Sequence, residues 1–544
     1  MKWMWVLAVL ACASCKKKLE DAEPPAPRSS EPAPVVVAPV VAPDAGRDIV
    51  SPLPEKGPHP DYPTAAAAGT DKLFFLEEPD RGPKAPTSFT PPAKLTWTDA
   101  PSCQIDQLGV VCSKGSAAAA IHYRLGKGAG VTVVEKRRGD RVSETTVFVT
   151  GPGGARSQRL HLDSTGTLDE ALLFTTPGRF SGRRRNGSNA LDGCGLMAFS
   201  EDKQHRLAEL RCLQWLGDPM RDKKGVALTR FAYDARGFVG DERSFGLDGA
   251  PVADATGVHR RAYTRDPAGR AVLSQNYDIE GKRLVDTTGC AGDRYTWGPN
   301  GALATWTCLD VGDAIVKNDD GVANVSYSYD ARGCLTQTRN LGADGAPASD
   351  RDLQHGEDLE VNDNCFTTTR TCIDVNGAPT NCANETTAKS VYQRDGHGEV
   401  ISLKYVNRDG TPGADTSYKV HELRWAYDDV GNNIEISCFD AAGAPAACGA
   451  TGFHGTRQTY DDAGREVMQT FFDSAGGVAT NMQVAQRRFR YDNYDHQYES
   501  RNADANGEVF EMRGMAIRHD LYDAAHRLFA ILLLDAKGDR KSVV

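Results

Sequence analysis

The sequence has no apolar run of the roughly 18 to 20 residues that a membrane-spanning helix requires, and it has no excess of basic residues. Its 63 Lys and Arg stand against 73 Asp and Glu, so the formal net charge is -10. The chain thus lacks the basic surface with which proteins bind nucleic-acid phosphates. We therefore expect neither a spanning helix in the mature protein nor a nucleic-acid partner.

The short motifs of the common catalytic sites are also missing. Gly-x-Ser-x-Gly and His-Glu-x-x-His do not occur, and the glycine-rich stretch Gly126–Gly130 lacks the Gly-Lys-Ser/Thr ending of a phosphate-binding loop. No Cys-x-x-Cys zinc motif follows Cys15. We therefore predict a protein that is not an enzyme and that uses no cofactor. A glycosidase remains an alternative, because its paired carboxylates leave no recognisable spacing.

The first fifteen residues are typical of a secretory signal peptide, with a positive start, an apolar stretch from Trp3 to Leu10 and small residues before Cys15. Both Ala13-Ser14-Cys15 and Leu10-Ala11-Cys12 resemble the lipobox of bacterial lipoproteins, in which the cysteine becomes the acylated amino terminus. Acylation of Cys15 leaves an even number of the 14 cysteines, whereas acylation of Cys12 leaves Cys15 unpaired. We therefore predict lipidation of Cys15 and residues 1–15 as signal peptide.

The segment 16–95 is rich in Pro, Ala and Val, and this composition cannot bury a core. We predict a disordered tether that holds the rest of the chain away from a membrane. By analogy with lipoproteins, the lysine that follows Cys15 carries no signal for inner-membrane retention. The expected location is therefore the outer membrane, at the cell surface or on its periplasmic face.

The remainder of the chain is one motif repeated about twelve times, with Tyr-Asp followed by Gly three residues after the Asp, as in Tyr329-Asp330-Ala-Arg-Gly333. We call the last residue of this motif position 0 of its unit. Most neighbouring copies are 31 to 33 residues apart, and one interval is 39. The column comprises Gly166, His205, Gly237, Gly269, Gly301, Gly333, Cys365, Gly398, Gly431, Gly464, Asp495 and His526.

A second glycine usually follows position 0 by twelve residues, so each unit has two predicted turns in which Asp caps main-chain N-H groups. The residues between the turns alternate, as in Val400–Tyr405, and period two predicts a half-buried strand. We expect positions +3, +5 and +7 to face inward. We also expect residues whose offsets add up to about -4 to face each other across the first turn.

Cysteine positions agree with a hairpin around each turn. Cys290 and Cys308 occupy positions -11 and +7, and Cys438 and Cys448 occupy +7 and +17. One strand would then pair with both its predecessor and its successor, as in an antiparallel meander. The predicted disulfides are Cys103 with Cys112, Cys194 with Cys212, Cys290 with Cys308, Cys334 with Cys365, Cys372 with Cys382, and Cys438 with Cys448.

A meander of this length must spiral or close because strand twist accumulates. The Tyr-Asp-x-x-Gly units resemble the YD repeats of the RHS family, and this resemblance implies an extended or shell-like β-structure. The period is longer here than is usual in that family, and no toxin domain follows the last unit. We predict an all-β fold of tandem antiparallel hairpins in a spiralling or superhelical sheet, with a β-propeller as the alternative. We expect residues 96–160 to form an N-terminal β cap, with a weaker first repeat around Gly130 as an option, and residues 161–544 to form the repeat domain of about twelve units.

Two groups of residues are candidates for binding. His259, His355, His421 and His454 share position -10, where they would form a metal ladder, a pH sensor or simple turn caps. The 39-residue interval contains four arginines that we expect on an exposed basic loop able to bind an anionic glycan or protein, namely Arg179, Arg183, Arg184 and Arg185. Turn capping and a solvated loop are the simpler interpretations.

Repeats supply a large surface without a single active cleft. We therefore predict a monomeric, non-enzymatic envelope lipoprotein whose repeat surface binds carbohydrate, as the family resemblance implies, or an envelope protein. The alternatives are a carbohydrate-active enzyme and a periplasmic scaffold without a diffusible ligand.

Overall fold

The computed structural model describes residues 89, 92, 94–114 and 121–543, apart from 177, 187, 215–216, 384, 450–451, 462, 482, 492–496, 512–514 and 523–527. The chain divides into two units, Met1–Leu73 and Phe74–Val544, and every described residue belongs to the second. The predicted signal peptide, Cys15 and most of the predicted tether lie outside the described residues.

The described residues form thirty-two strands and one 3-10 turn, Pro152–Gly154. The strands before the regular repeats are β1 (Thr96–Ala100), β2 (Cys103–Ile105), β3 (Val110–Cys112), β4 (Ile121–Gly128), β5 (Val131–Arg138), β6 (Arg141–Thr150), β7 (Arg156–Leu162), β8 (Leu168–Thr176) and β9 (Arg179–Arg184). The strands that follow are β10 (Leu196–Glu201), β11 (Leu207–Leu213), β12 (Leu228–Tyr233), β13 (Val239–Phe245), β14 (Arg260–Arg265), β15 (Ala271–Tyr277), β16 (Gly292–Trp297), β17 (Leu303–Leu309), β18 (Asn324–Tyr329), β19 (Leu335–Leu341), β20 (Gly356–Val361), β21 (Thr367–Ile373), β22 (Lys389–Arg394), β23 (Val400–Val406), β24 (Glu422–Tyr427), β25 (Asn433–Phe439), β26 (Gly455–Tyr460), β27 (Glu466–Phe472), β28 (Gln486–Tyr491), β29 (Gln497–Ala503), β30 (Ile517–Tyr522), β31 (Leu528–Leu534) and β32 (Arg540–Val543).

Thirty of these strands belong to one antiparallel sheet, and β2 and β3 form a separate pair. Strand β1 pairs with β4, and from β4 onward each strand pairs with the next one in sequence up to β32. The predicted all-β meander is therefore confirmed. The β-propeller alternative is wrong, because the hydrogen-bonded ladder continues from unit to unit instead of breaking into separate blades.

Each repeat unit contains a hairpin closed by its first turn, and the Asp of the Tyr-Asp motif holds that turn. In one unit the Asp234 carboxylate accepts the main-chain N-H groups of Arg236 and Phe238 at 2.9 and 3.0 Å. Asp and Gly recur here because the carboxylate caps the turn while the glycine takes a positive φ, 91° at Gly237.

The predicted register of this hairpin is wrong by about three residues. Cys308 faces Asp293, so the offsets of facing residues add up to -1 rather than -4. A bulge between Thr296 and Trp297 then changes the register next to the turn. Cys290 lies three residues before Asp293, in the turn that leads into β16, and reaches Cys308 from there.

The connection from one hairpin to the next contains two turns, whereas the sequence predicted one. After β17, the second turn runs from Asp310 to Ala314, Ile315 makes an isolated bridge to Leu309, and a third turn follows from Asn318 to Val322. We call the row formed by the second and third turns of all units the second-turn rim. The row of first turns at the opposite ends of the strands is the first-turn rim.

These connections fold over the ends of the strands, and this explains a second difference from expectation, which concerns the positions that are buried. Position +7 is buried as predicted, with Cys308 and Cys438 both 0% exposed, but Ile434 at +3 is 37% exposed. Leu309 at +8, on the opposite face from Cys308, is also fully buried. The strands are thus covered on both faces near the second-turn rim, whereas the side chain at +3 stays partly exposed in the unit of Ile434.

All six predicted disulfides are present in the structure. They join Cys103 to Cys112, Cys194 to Cys212, Cys290 to Cys308, Cys334 to Cys365, Cys372 to Cys382 and Cys438 to Cys448. Four lie between a strand and its adjoining turns inside the repeats, and the Cys334 to Cys365 bond joins the first turns of two successive units. Such a set of disulfides is typical of proteins in oxidising compartments outside the cytoplasm.

Successive units also contact each other at the first-turn rim through positions +1 and 0. A Cβ atom built on Gly269 would lie only 2.3 Å from the ring of Phe238, the residue at +1 of the preceding unit. Cys334 and Cys365 occupy these same two positions in their units, so their disulfide takes the place of the ring stacked on glycine.

Replacing Gly269 by alanine is therefore expected to destabilise the repeat body more than replacing Gly281. Both glycines have positive φ, 86° and 80°, so each alanine meets similar backbone strain of about 1 kcal/mol. Nothing lies within 4 Å of a Cβ at Gly281, whereas at Gly269 the Phe238 ring must move, which adds about 1 to 3 kcal/mol. Urea unfolding of the two variants tests this difference, and equal midpoints would contradict the close stacking.

The tyrosine of the Tyr-Asp motif, at position -4, links each unit to the one before it. The hydroxyl groups of Tyr329 and Tyr460 donate hydrogen bonds to the carbonyl oxygens of Leu303 and Asn433 at 3.0 and 2.8 Å. Trp297 makes the equivalent bond through its indole N-H. Burial raises the pKa of the Tyr460 hydroxyl to about 12, so it stays a donor at any physiological pH.

The sheet curves back on itself, so that residues from β4 to the end of β9 and Arg185 lie against the first-turn rim of later units. Several hydrogen bonds mark this seam, and the partners of the four given next advance together along the chain. They join Ile121 N to Asn300 O (2.7 Å), Arg141 Nη1 to Asp363 O (2.8 Å), Thr167 Oγ1 to His397 Nδ1 (3.1 Å) and Arg185 Nη2 to Asp429 O (2.7 Å). This ordered return is the spiral that the sequence predicted.

Candidate functional site

A column of aromatic side chains follows one face of the sheet at position -6. Members two strands apart are separated by roughly 10 Å along the sheet. Tyr295 is buried and the others are half-buried, so their rings line the face without being sealed from it. We call this set the aromatic column: Phe231, Tyr263, Tyr295, Tyr327, Tyr392 and Trp425. Leu359 takes the position between Tyr327 and Tyr392.

Polar groups accompany the column. The Asp293 carboxylate accepts hydrogen bonds from Ser274 Oγ at 2.9 Å, Tyr295 OH at 3.2 Å and Trp306 Nε1 at 3.0 Å. Burial raises the pKa of the Asp293 carboxyl, although these three donors act in the opposite sense. The arrangement places a carboxylate and an indole directly beside a column ring, because Tyr295 and Trp306 face each other across the hairpin.

A second charged cluster lies two units further along. The Arg370 guanidinium is 2.7 Å from the Glu357 carboxylate and 3.2 Å from that of Glu385. Burial alone would lower the pKa of Arg370, but the two glutamates outweigh burial and raise it. Arg370 thus stays charged at this part of the face. It lies close to Tyr392, where burial raises the pKa of the hydroxyl and the charge of Arg370 acts in the opposite sense.

A polar cavity of about 280 Å³ lies at the seam, where Arg185 meets the first turns of two units. Its lining includes Asp395, His397, Glu399 and Tyr427. Burial, followed by the neighbouring Asp395, raises the pKa of the Glu399 carboxyl, while Arg185 acts in the opposite sense. The cavity is at the small end of the range for ligand sites and is richer in charge than most of them.

The four arginines predicted on an exposed loop are instead mostly in a strand. Arg179, Arg183 and Arg184 belong to β9, an additional strand inserted in the 39-residue interval, and Arg183 is only 5% exposed. Arg185 follows the strand and binds the Asp429 carbonyl at the seam. The insertion thus extends the sheet and supports the seam, and the four side chains do not form one basic surface.

The histidines at position -10 hold their own connections in place. The Nδ1 atoms of His259, His355, His421 and His454 each lie 2.9 to 3.1 Å from a carbonyl oxygen seven or eight residues earlier, and therefore donate to it. The His454 ring also meets Phe439 and Phe472 edge to face. This is the turn-capping role, and it uses one ring nitrogen of each histidine. His421 additionally lines an open groove of about 460 Å³.

Among the described residues, no three His, Cys, Asp or Glu side chains are grouped as a metal site would need. No helix in that part of the chain is long and apolar enough to cross a membrane.

The aromatic column was missed at the level of sequence, although its signal is present. An aromatic residue stands two positions before the Tyr or Trp at -4 in Phe231-Ala-Tyr233, Tyr295-Thr-Trp297, Tyr327-Ser-Tyr329 and Trp425-Ala-Tyr427. Period two places both residues on one face of the strand. The seam cavity had no such signal, because its residues come from segments more than 200 positions apart.

No protein-family model and no curated protein matches this chain. Solved structures similar to it include TcdB2-TccC3-TEV, with 12% identity over 80% of this chain and a TM-score of 0.30. TcdB2-TccC3 without its hypervariable C-terminal region has 12% identity and a TM-score of 0.27, and a porin-like protein from Bacteroides uniformis has 11% identity over 52% of this chain and a TM-score of 0.17. The chain spans about a quarter of the length of the two TcdB2-TccC3 chains, 24% and 26%. These likenesses assign no family.

Proposed function

We propose that this chain is a non-enzymatic, monomeric cell-envelope lipoprotein whose β-repeat body binds an extended carbohydrate. The observation that carries this proposal is the aromatic column, which presents half-buried rings at a regular pitch of roughly 10 Å. Aromatic rings offer apolar faces on which sugar rings stack, and a regular row of them suits a polymer with a repeating unit. The half-buried carboxylate of Asp293 and the guanidinium of Arg370 supply hydrogen-bond partners beside the rings.

The envelope location rests on two independent features. The first is the resemblance of Ala13-Ser14-Cys15 to a lipobox, and the second is the set of six disulfides. Proteinase K treatment of intact and lysed cells, followed with an antibody to the repeat body, tests the orientation. Loss of the body from intact cells indicates the outer surface, and survival until lysis indicates the periplasm. Recovery of the wild-type protein in the soluble fraction, with no membrane-bound form, contradicts lipidation at Cys15.

Tyr327→Ala combined with Tyr392→Ala is expected to weaken glycan binding by at least about tenfold, because two stacking contacts are lost. The binding assay is affinity electrophoresis in gels that contain bacterial envelope polysaccharides. Tyr277→Ala is the matched control, since Tyr277 is a half-buried tyrosine at position +8, on the opposite face, beneath the Arg260 guanidinium. Equal binding by the double variant and the control would contradict the proposed face.

The seam cavity favours one alternative, a carbohydrate-active enzyme. Asp395 and Glu399 both line it, and the raised pKa of Glu399 is the property that a general acid requires. Release of reducing ends from a bound polysaccharide by the wild-type protein, lost on Glu399→Gln, would replace the binding proposal by this one. If the wild-type protein binds a polysaccharide without cleaving it, the binding proposal stands.

A further inference from the structure

Large aliphatic side chains are exposed in a row on the second-turn rim. Ile279 is held between the ends of a tight turn, where Lys282 N donates to Asp278 Oδ1 at 2.7 Å, and its side chain is 53% exposed. The same place in the second turn of other units, position +10, is also occupied by an exposed aliphatic residue. The row consists of Leu247, Ile279, Val311 and Val375, with Ala343 in the unit between the last two.

Further exposed aliphatic residues lie beside this row on the same rim, namely Val285, Ile315 and Leu353. Ile434, at 37% exposure, is the contrasting case, since it lies on β25 close to the first-turn rim. The concentration of apolar surface on one rim of five consecutive units is what marks an interaction surface, as opposed to the scattered single residues of an ordinary surface.

Leu353 supplies a separate indication. It lies in a third turn with φ of 64°, where the equivalent residues of three preceding units are glycines with φ between 84° and 89°, namely Gly257, Gly289 and Gly321. A leucine is disfavoured in this left-handed conformation, and at 71% exposure its side chain gains little from burial in the folded chain. Folding therefore does not account for a leucine here, whereas contact with a partner does.

The rim is acidic as well as apolar. Acidic residues outnumber basic ones in each of its five connections, residues 246–259, 278–291, 310–323, 342–355 and 374–388. A second copy of the same rim and an anionic membrane surface both carry charge of the same sign and would be repelled. The charge complement is a partner that is basic as well as apolar.

The spacing of the row indicates the shape of that partner. Aliphatic residues recur every two strands, about 9.6 Å apart. Seven residues of an α-helix rise about 10.5 Å, which is within about 1 Å of one interval of the row, so a helix with apolar residues in each heptad follows the row approximately. Four intervals, from Leu247 to Val375, span about 38 Å and correspond to about 26 helical residues.

We propose that the second-turn rim of the units from Gly237 to Cys365 is a docking surface for a basic amphipathic helix of a partner protein. The helix lies along the rim, its apolar stripe contacts the row, and its lysines or arginines face the acidic turns on either side. The surface is distinct from the aromatic column, and the proposal does not depend on carbohydrate binding.

The probe for this proposal is a synthetic helical peptide of about 26 residues with leucine in the apolar heptad positions and lysine beside them. Binding of the fluorescently labelled peptide to the full chain is measured by anisotropy at low and high salt. We expect saturable binding that weakens with salt and that falls at least about tenfold in the variant Ile279→Asn with Val311→Asn. Ile434→Asn is the matched control and is expected to bind like the wild type.

Other outcomes overturn the proposal. Equal binding by the double variant and the control shows that the row is not the site, and equal binding of a peptide with glutamate in place of lysine shows that charge does not select the partner. Failure of the wild-type chain to bind the peptide overturns it as well. Flotation of the protein with vesicles of anionic phospholipid would assign the rim to a membrane instead. A dimer that is disrupted by Ile279→Asn with Val311→Asn would assign it to a second copy of the chain. Both substitutions replace exposed side chains, so thermal unfolding of the variants is expected to match the wild type.

Discussion

Replacing Cys290 and Cys308 together by alanine is expected to lower the free energy of unfolding of the repeat body by about 3 kcal/mol. The bond closes a loop between residues separated by 18 positions, and opening it returns conformational freedom to the unfolded chain. Both side chains are buried, at 1% and 0% exposure, so the alanines also lose packing contacts. Guanidinium unfolding of the two proteins measures the difference.

Cys103 and Cys112 provide the control for this experiment. Their disulfide joins β2 to β3, a separate two-stranded sheet, so its removal is expected to leave the main unfolding transition in place. The same midpoint for the Cys290 and Cys308 variant as for the wild type would show that the repeats do not depend on their internal disulfides.

Replacing Glu499 by glutamine is expected to have an effect of similar size that depends on pH. The Glu499 carboxylate is 2% exposed, lies 2.8 Å from His519 Nε2 and accepts a hydrogen bond from Arg501 Nε at 2.6 Å. Burial alone would raise its pKa, but these partners outweigh burial and lower the pKa to about 2. A pKa in the folded protein below the ordinary value means that the charged carboxylate stabilises the fold above about pH 4.5.

At pH 7 we therefore expect Glu499→Gln to lower the free energy of unfolding by about 3 kcal/mol. The difference from the wild type is expected to shrink as the pH falls from about 4.5 towards 2, because the wild-type carboxylate becomes protonated. Urea unfolding between pH 7 and pH 3 measures both effects.

Glu209 is the matched control, because it occupies the same position, +4, in another unit. Glu209 forms an ion pair with Arg230 at 2.8 Å, and the side chains of Glu209 and Arg230 are 36% and 48% exposed. Glu209→Gln is therefore expected to lower the free energy of unfolding by less than about 1 kcal/mol. A Glu499→Gln effect that is no larger than this, or that does not change with pH, would contradict the assignment of the lowered pKa to the buried partners.

Features that repeat within a few residues could be predicted from the sequence. The Asp and Gly turn positions, the alternation of Val400–Tyr405 and the pairing of Cys438 with Cys448 all reflect contacts that are local in the chain. Such contacts follow from turn chemistry and from the two-residue period of a strand. The hairpin register failed for two reasons. The first turn is closed between Gly298 and Ala302, whose offsets already add up to -2, and a bulge between Thr296 and Trp297 then changes the sum to -1.

Contacts between distant parts of the chain could not be predicted. Arg179 and its neighbours are charged and follow Pro177-Gly178, a combination that predicts a loop. In the structure these residues form β9 because their main chain pairs with β8 on one side and with β10 on the other. The seam cavity depends on how many units complete one turn of the spiral, and that number comes from the accumulated twist of the sheet. A local pattern carries no information about it.

The seam also determines the order in which this protein can fold. The segments around Thr167 and Arg185 leave the ribosome early, but the first turns that they bind, at His397 and Asp429, are 230 and 244 residues further along the chain. Hairpins can form one after another as the chain emerges, because each needs only its neighbours. The N-terminal layer cannot complete its seam contacts until more than half of the repeats have left the ribosome. This interval is when a chaperone is most needed.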